Sequence, residues 1–147
     1  MSAEEPDYQS ATNLGGAALP YLKEFVRDTN ASRAARAVHL AARIGGAPAA
    51  EIVDMGIDHA DPRVRIAVAR ALSPDFGAHL LPRLMRDKDR GVRLVSVQAL
   101  QELLQLEPSL IGELLDDLTE VSESDVDPNV RRAFQEVTRR FTQAAGR

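Results

Sequence analysis

Apolar residues recur at spacings of three and four along most of the chain, as they do on one face of an α-helix. One such stripe consists of Val64, Ala67, Val68, Ala71 and Leu72, and a second consists of Val92, Val95, Ala99, Leu100 and Leu103. The strict alternation of apolar and polar residues that is typical of strands is missing from the sequence. Residues that interrupt helices fall between the apolar stretches, at Gly45, Gly46, Pro62, Pro74, Gly77, Pro108 and Pro128. The pattern therefore predicts an all-α protein.

These interruptions divide most of the chain into eight predicted helices. The predicted ranges are 18–27 with 31–45, 48–58 with 62–73, 76–87 with 90–106, and 109–122 with 128–143. Because the connections are short, the two helices of each pair should be antiparallel. Residues 1–16 are polar and end in two glycines, so we expect a flexible N-terminal tail there and one repeat domain over 17–147.

An internal repeat marks the start of every second helix. Three copies are clear: Asp61-Pro-Arg-Val-Arg65, Asp89-Arg-Gly-Val-Arg93 and Asp127-Pro-Asn-Val-Arg131. A degenerate first copy contains Arg33 and has Thr29 where the others have Asp, and the four arginines follow one another after 32, 28 and 38 residues. Helix pairs that repeat at such spacings stack on one another to bury a continuous core. We therefore predict a right-handed α-solenoid of about four antiparallel helix pairs.

Each copy has a physical rationale. The Asp should cap the helix, because its carboxylate accepts hydrogen bonds from unpaired backbone N–H groups and favours the positive helix end. Pro at the next position needs no N–H there. Counted from each repeated arginine, the residue one position before it and the residues two, six and seven positions after it should face the core. The positions two before, one after and five after should lie on another face of the helix.

The phrase Asp-Pro-x-Val-Arg followed by an Ala-rich helix resembles HEAT repeats, especially the short bacterial kind, over roughly residues 17–145. Leucine-rich-repeat-variant proteins use a similar phrase, which residues 64–74 also resemble, but their repeat is shorter than the spacings here. The resemblance implies an armadillo-like fold in which Asp and Arg of successive repeats form a structural ladder. By motif position, the ladder would comprise Asp61, Arg65, Asp89, Arg93, Asp127 and Arg131. The place of Arg33 stays open because its copy lacks the Asp, and an alternative role for the repeated arginines is anion binding.

Charge is strongly segregated along the chain, although the net charge is only −4. Residues 61–100 carry net +4, residues 101–127 carry net −9 without any Lys or Arg, and residues 128–147 carry net +4. Such blocks are compatible with solvated helix faces and also with complementary docking to another protein.

Little in the sequence points to catalysis. The chain has no Cys, which excludes thiolate nucleophiles, thiolate metal sites and disulfides. His39, His59 and His79 fall on, or for His59 at the end of, three different predicted helices, and none has a second ligand at metal-binding spacing on its own helix. There is no phosphate-binding glycine loop and no nucleophile elbow. We therefore expect a protein without enzymatic activity, cofactor or metal.

Four acids at spacings of three and four share one predicted helix. They are Glu113, Asp116, Asp117 and Glu120. Like charges at these spacings destabilise a helix slightly and favour a partner. A carboxylate metal site, a solvated face and a protein-docking patch are the alternatives, and no histidine supports the metal site.

We predict a non-catalytic protein–protein interaction module, such as an adaptor, scaffold or regulatory subunit, that binds its partner on the concave face made by the second helices. The predicted partner-binding residues are Arg63, Ile66, Arg70, Leu94, Gln98 and Arg132. The same positions in the first copy hold Ala31, Ala34 and Val38. Ile66 and Leu94 are large and apolar where a solvated face would be polar, and arginines flank them, as in binding hot spots. Alternatively, both residues pack between repeats.

A nucleic-acid-binding module is the second hypothesis, because some HEAT-like proteins are DNA glycosylases that grip duplex with a basic face. The basic middle of this chain comprises Arg63, Arg70, Arg83, Arg86, Arg90 and Arg93. The sequence pI of about 5.4 and the absence of Trp argue against it. HEAT-like chromophore lyases suggest a third class, for which no residue can be assigned.

The cellular location is predicted from the start of the chain and its hydropathy. Residues 1–7 are acidic and polar, unlike a signal peptide, and no apolar run approaches the roughly 20 residues of a membrane helix. We expect a soluble, cytoplasmic protein, and the heavy use of Arg and Ala suggests a GC-rich bacterial genome.

Overall fold

A computed structural model of the protein describes residues 15–145, and within this range the chain forms eight α-helices. They are α1 Leu19–Phe25, α2 Ala31–Ile44, α3 Ala47–Gly56, α4 Pro62–Ala71, α5 Leu81–Met85, α6 Arg90–Leu106, α7 Ile111–Ser124 and α8 Pro128–Ala145. Short 3₁₀ helices span Gly15–Ala18, Ala78–Leu80 and Pro108–Leu110. The predicted all-α fold is confirmed. Most of the predicted tail, residues 1–14, lies outside the described residues.

The chain divides into two compact units, the first ending at Ala71 and the second beginning at Leu72. In the first unit, α2 packs against α1, α3 and α4. Buried residues of this unit include Leu22, Val26, Ala34, Val38, Ile52, Val53, Val64 and Val68. Gly56 allows close packing here, because a Cβ at this position would lie 2.8 Å from Val38 Cγ2 and 2.9 Å from Val68 Cγ2.

The second unit is built from α5 to α8. Here α8 packs against α6 and α7, and α5 packs against α6 and α7. Buried residues include Leu84, Leu100, Leu103, Leu104, Leu118, Val130, Phe134 and Val137. Each unit therefore has buried apolar residues of its own, with more Leu in the second unit and more Ala in the first.

The helix predicted at 76–87 is shorter in the structure. The backbone of Ser73 and Phe76 forms two mutual hydrogen bonds of 2.9 and 3.1 Å, which hold a tight turn. Gly77 follows with φ of 75°, a left-handed conformation that glycine adopts without strain. The 3₁₀ turn and the five residues of α5 therefore begin only after Gly77.

The predicted alignment of the first copy is wrong by one residue. The cap of α2 is Asn30, not Thr29, and its side chain accepts a 3.1 Å hydrogen bond from the backbone N–H of Arg33. The fourth residue after the cap is therefore Ala34, whereas it is arginine in the other three copies. The face predicted for this copy is core instead, since Ala31, Ala34 and Val38 are buried.

The predicted helix phase of α4 also needs correction. The predicted core residues Ala67, Ala71 and Leu72 are only half-buried, whereas Arg65 and Ala69 are buried. Val64 and Val68 are buried as expected. The core of α4 thus takes the position one before the arginine, the arginine itself, and the positions three and four after it. The sequence pattern did not indicate this phase, because charged residues rarely lie in a protein core.

Candidate interaction site

The same three-residue turn precedes every second helix, and the side chain of its first residue accepts a hydrogen bond from the backbone N–H of its third. The bonds are Asn30 N to Asp28 Oδ1 at 2.7 Å, Asp61 N to His59 Nδ1 at 3.0 Å, Asp89 N to Asp87 Oδ1 at 2.9 Å and Asp127 N to Asp125 Oδ1 at 2.9 Å. Three copies therefore use Asp as the acceptor, and one uses His. In the sequence, this turn is marked by an Asp or His two residues before the capping Asp or Asn. The motif from Asp to Arg begins only at the capping residue and therefore does not include this position.

The third residue of each turn caps the following helix, as predicted for the aspartates. Asp61 Oδ1 accepts from Arg63 N at 2.8 Å, Asp89 Oδ1 from Val92 N at 3.1 Å, and Asp127 Oδ1 from Asn129 N at 2.8 Å. Asp61 also holds the Arg63 side chain, with distances of 3.1 Å from Nε to Oδ1 and 2.7 Å from Nη2 to Oδ2. This bidentate contact, together with the Arg63 backbone N–H, lowers the pKa of Asp61 to about 2.

The repeated arginines bind the backbone of the turn that precedes their own helix. Nη1 of Arg65 donates to His59 O and Ala60 O, Nη1 of Arg93 donates to Asp87 O and Lys88 O, and Nη1 of Arg131 donates to Asp125 O, at 2.6–3.2 Å. These bonds supply donors to backbone carbonyl groups of the turn, which lie outside the regular hydrogen-bond pattern of the helices. The arginines thus bind the backbone of their own chain, and these carbonyl partners are not the aspartates that the family resemblance implied.

The ion pairs of the second unit differ from the predicted ladder. Arg93 Nε contacts Asp125 Oδ2 at 2.8 Å, and the two side chains are only 11% and 4% exposed. Asp127, the partner expected from the motif, pairs instead with Arg90. The carboxylate that pairs with Arg93 thus belongs to the first residue of the repeated turn, Asp125, and not to the capping residue Asp127.

In the first unit a histidine connects the corresponding turns. His59 Nε2 donates to Asp28 O at 2.8 Å. Its Nδ1 accepts from the Asp61 N–H, so the ring proton must reside on Nε2. When the copies are aligned on their caps, Ala34 corresponds to Arg93, and His59 corresponds to Asp125. The neutral ring of His59 and its hydrogen bonds therefore connect the turns of the first unit, where the second unit uses the ion pair between Arg93 and Asp125.

Much of the charge segregation is balanced inside the second unit. Arg86 contacts Asp117 Oδ1 at 2.8 Å and Glu120 Oε2 at 2.9 Å. The hydrogen bond from Arg86 and its charge lower the pKa of Glu120. With the Arg90 and Arg93 pairs, three arginines of the basic block form ion pairs with four acids of the acidic block. Within the predicted acidic group, Glu113, Asp116 and Glu120 are exposed, and Asp117 is half-buried.

The six predicted partner-binding residues fall equally into the two units. Arg63, Ile66 and Arg70 lie on α4 in the first unit, whereas Leu94 and Gln98 on α6 and Arg132 on α8 belong to the second. The three arginines and the glutamine are exposed, and the two apolar residues are half-buried. Leu94 packs in part against the core of its unit. On each of α4 and α6, an apolar residue thus lies one turn before an exposed polar one.

Other exposed apolar side chains were not singled out by the sequence. Among the described residues, the large exposed ones are Tyr21, Leu106, Leu115 and Val126. They could not be recognised because the spacing of apolar residues does not separate a core position from an exposed one at a helix end.

The histidines and carboxylates form no metal centre within residues 15–145, where no three such side chains are placed to hold an ion. His39 lies on α2, as predicted, but His59 lies in a turn and His79 in a 3₁₀ helix. In the same part of the chain, every helix is too short or too polar to cross a membrane.

Comparison of the chain with protein-family models, with curated protein sequences and with solved structures found no match. The resemblance to HEAT repeats therefore rests on the repeated motif alone.

Proposed function

We propose that the protein is a non-catalytic module that binds another protein, acting as an adaptor, scaffold or regulatory subunit, and that its helix pairs stack as a right-handed HEAT-like solenoid. The observation that carries this proposal is the repeated turn with its cap. The recurring polar residues, including His59 and the repeated arginines, hydrogen-bond to their own chain. Maintaining the local structure in this way is what a repeat scaffold requires.

The second helices supply the proposed binding faces. Ile66 and Arg70 lie one turn apart on α4, and Leu94 and Gln98 do so on α6. A half-buried apolar residue beside an exposed polar one provides a partly preorganised anchor for a partner. Arg63 and Arg132 extend the two faces with positive charge, each within its own unit.

The basic middle of the chain supports a protein partner better than a nucleic acid. Of its six arginines, Arg63, Arg86, Arg90 and Arg93 are paired with carboxylates. Phosphate contacts would have to break these pairs, which reduces the electrostatic gain that nonspecific nucleic-acid binding needs.

A charge reversal tests the α4 face. Proteins captured by the full chain from a lysate treated with nuclease are identified, and their affinity is then measured for Arg70→Glu and for Arg43→Glu. Both side chains are exposed in the first unit, but Arg43 lies at the end of α2, whose predicted face positions Ala31, Ala34 and Val38 are buried and form no binding face. We expect Arg70→Glu to weaken binding by about tenfold or more, as at a hot spot, and Arg43→Glu to have little effect. Equal effects of both variants, or loss of every partner after nuclease treatment, would contradict the proposal.

A further inference from the structure

Each unit has a surface cavity beside its repeated turns, and an arginine that follows the first helix of the unit lines it. The cavity of the first unit has a volume of about 770 Å³ and is lined by Arg27, which follows α1. The cavity of the second unit has about 220 Å³ and is lined by Arg86, which follows α5. When Asp28 is aligned with Asp87, the two arginines occupy the same position in the repeat.

In the second unit, carboxylates of the chain itself hold this arginine. Nη1 of Arg86 lies 2.8 Å from Asp117 Oδ1, and Nη2 lies 2.9 Å from Glu120 Oε2. Both acids belong to α7, and neither is part of the cavity wall. An arginine at this position therefore binds carboxylates at the rim of the cavity.

In the first unit, the corresponding acids do not hold the arginine. Counted back from the turn that follows α3, the counterparts of the two acids are Glu51 and Asp54. Glu51 is held by Lys23 instead, with 2.9 Å from Nζ to Oε1, and Asp54 is half-buried with a partner of its own. Lys23 is the main cause of the lowered pKa of Glu51, to which Arg27 adds only a smaller attraction. Within the part of the chain that the structure describes, the Arg27 guanidinium thus has no carboxylate at ion-pair distance.

The other polar groups of the first cavity are engaged within the chain. Both oxygens of Asp61 are held by the Arg63 side chain, and Asp58 also has a partner. His59 uses both of its ring nitrogens in hydrogen bonds. Of the charged side chains that the structure places in this wall, Arg27 is therefore the one whose charge is available to a ligand.

Apolar side chains surround the space next to Arg27. Val26, Met55, Ala60 and Pro62 all line the cavity. Its volume falls in the range of small-ligand sites, which combine apolar walls with a few polar groups. A cation beside such a wall suits a carboxylate that is attached to an apolar group. Charge-assisted hydrogen bonds would fix the carboxylate, while the wall removes the apolar group from water.

We propose that the cavity of the first unit binds a carboxylate that carries an apolar group, with the carboxylate on Arg27 at the rim and the apolar group against Val26 and Met55. The C-terminal residue of another protein and a small organic acid both present this chemistry, and the test distinguishes them. The inference does not rest on the proposed function and does not involve the α4 and α6 faces, so either proposal can fail without the other.

The test is a titration of the ¹⁵N-labelled full chain with Nα-acetyl-L-leucine, followed by NMR at the Arg27 Nε–H and at the backbone amides of Met55 and Ala60. We expect saturable shifts with a Kd of roughly 1–10 mM, the range for a ligand of this size. Nα-acetyl-L-leucinamide has nearly the same shape without the charge. It should bind at least about threefold more weakly, since it lacks the charge-assisted hydrogen bonds to Arg27. The amide of Val126, beside the second cavity, should not shift, because Arg86 is already paired there.

A second acid identifies the source of the ligand. Isocaproate has an apolar group of similar size but lacks the peptide group that Nα-acetyl-L-leucine shares with a protein C-terminus. Tighter binding of Nα-acetyl-L-leucine would indicate a protein C-terminus, and equal or tighter binding of isocaproate would indicate a small organic acid. Either result supports a carboxylate site at Arg27.

Two variants of the cavity complete the test. Arg27→Gln should weaken binding of Nα-acetyl-L-leucine by about threefold or more, because the charge that holds the carboxylate is lost. Arg43→Gln removes the same charge from an exposed position on α2 and should leave binding unchanged. Ala60→Val introduces the residue found at the corresponding position of the second cavity, Val126, and narrows the cavity without changing its charge. It should also weaken binding, which keeps the test valid if Arg27→Gln does not fold. Absence of saturable shifts, equal binding of leucinamide, or unchanged binding in the folded cavity variants would overturn the proposal.

Discussion

At the scale of single residues, the most informative position is His59. In the second unit, Arg93 and Asp125 form a buried ion pair between successive turns. With Ala34 in place of the arginine, an Asp at position 59 would be a partly buried carboxylate without that cation, which is unfavourable. A neutral histidine avoids this cost and donates to the carbonyl of Asp28. The presence of Ala34 together with His59 thus has a physical explanation.

Replacing His59 by Asp tests this explanation. The variant retains an acceptor for the Asp61 N–H but leaves Asp28 O without its donor and places a negative charge near it. We expect the free energy of unfolding to fall by about 1–3 kcal/mol, the cost of an unsatisfied, partly buried polar group. Urea denaturation measures this change, and His39→Asp, at an exposed position on α2, is the control with an expected effect of about 0.5 kcal/mol or less. Similar effects of both substitutions would show that the His59 hydrogen bonds are unimportant.

The carboxylate of Asp61 provides a pH-dependent test at the same scale. Its pKa is lowered from 3.8 to about 2, mainly by Arg63, so the folded state binds this proton less readily than the unfolded state. The stabilisation is therefore complete above about pH 4 and is lost as the pH falls towards 2. In Arg63→Ala, carboxyl ¹³C NMR should show the pKa of Asp61 moving back towards 3.8, and stability should depend less on pH in this window. An unchanged midpoint would mean that Arg63 does not cause the shift.

At the scale of elements, the sequence predicted the existence and order of the helices because Asp, Pro and Gly mark their ends. It did not predict the first-copy alignment, since Arg33 resembles the repeated arginine although Asn30 caps the helix. The sequence also left open whether Ile66 and Leu94 are exposed or pack between helices, and both are half-buried. Burial depends on which helices pack together, and the pattern of apolar residues within one helix does not identify its neighbouring helices.

Helix packing in the first unit gives a further prediction. A Cβ at Gly56 would lie under 3 Å from the buried methyl groups of Val38 and Val68. We expect Gly56→Ala to lower the stability by about 1–3 kcal/mol through overpacking, although alanine favours helix. Gly112→Ala on α7 is the matched control, because a Cβ added there would have no neighbouring atom within 4 Å, and it should raise stability by up to about 1 kcal/mol. Thermal unfolding of both variants distinguishes them, and a stabilising Gly56→Ala would refute the packing described for α3.

At the scale of the whole molecule, the alternation of basic and acidic blocks has a structural origin. The net charge of −9 over residues 101–127 suggested a docking surface, but part of it is balanced by Arg86, Arg90 and Arg93 from the preceding block. Charge blocks in a chain of packed helices can therefore reflect pairing between neighbouring helices. The charged side chains that remain exposed after this pairing therefore indicate the charge of a partner better than the net charge of a sequence block does.

This balance leads to a prediction about nucleic acid. At 150 mM salt, we expect the protein to bind a 20-base-pair duplex with a Kd weaker than about 100 µM, the weak limit of nonspecific binding, because most of its central arginines are paired. Replacing both partners of Arg86, as Asp117→Asn with Glu120→Gln, frees one guanidinium and removes two negative charges. The double variant should therefore bind duplex more tightly than the unaltered protein and with a steeper salt dependence. Fluorescence anisotropy across a salt series measures both effects. Micromolar binding by the unaltered protein, with affinity falling steeply as salt is raised, would instead favour a nucleic-acid-binding module.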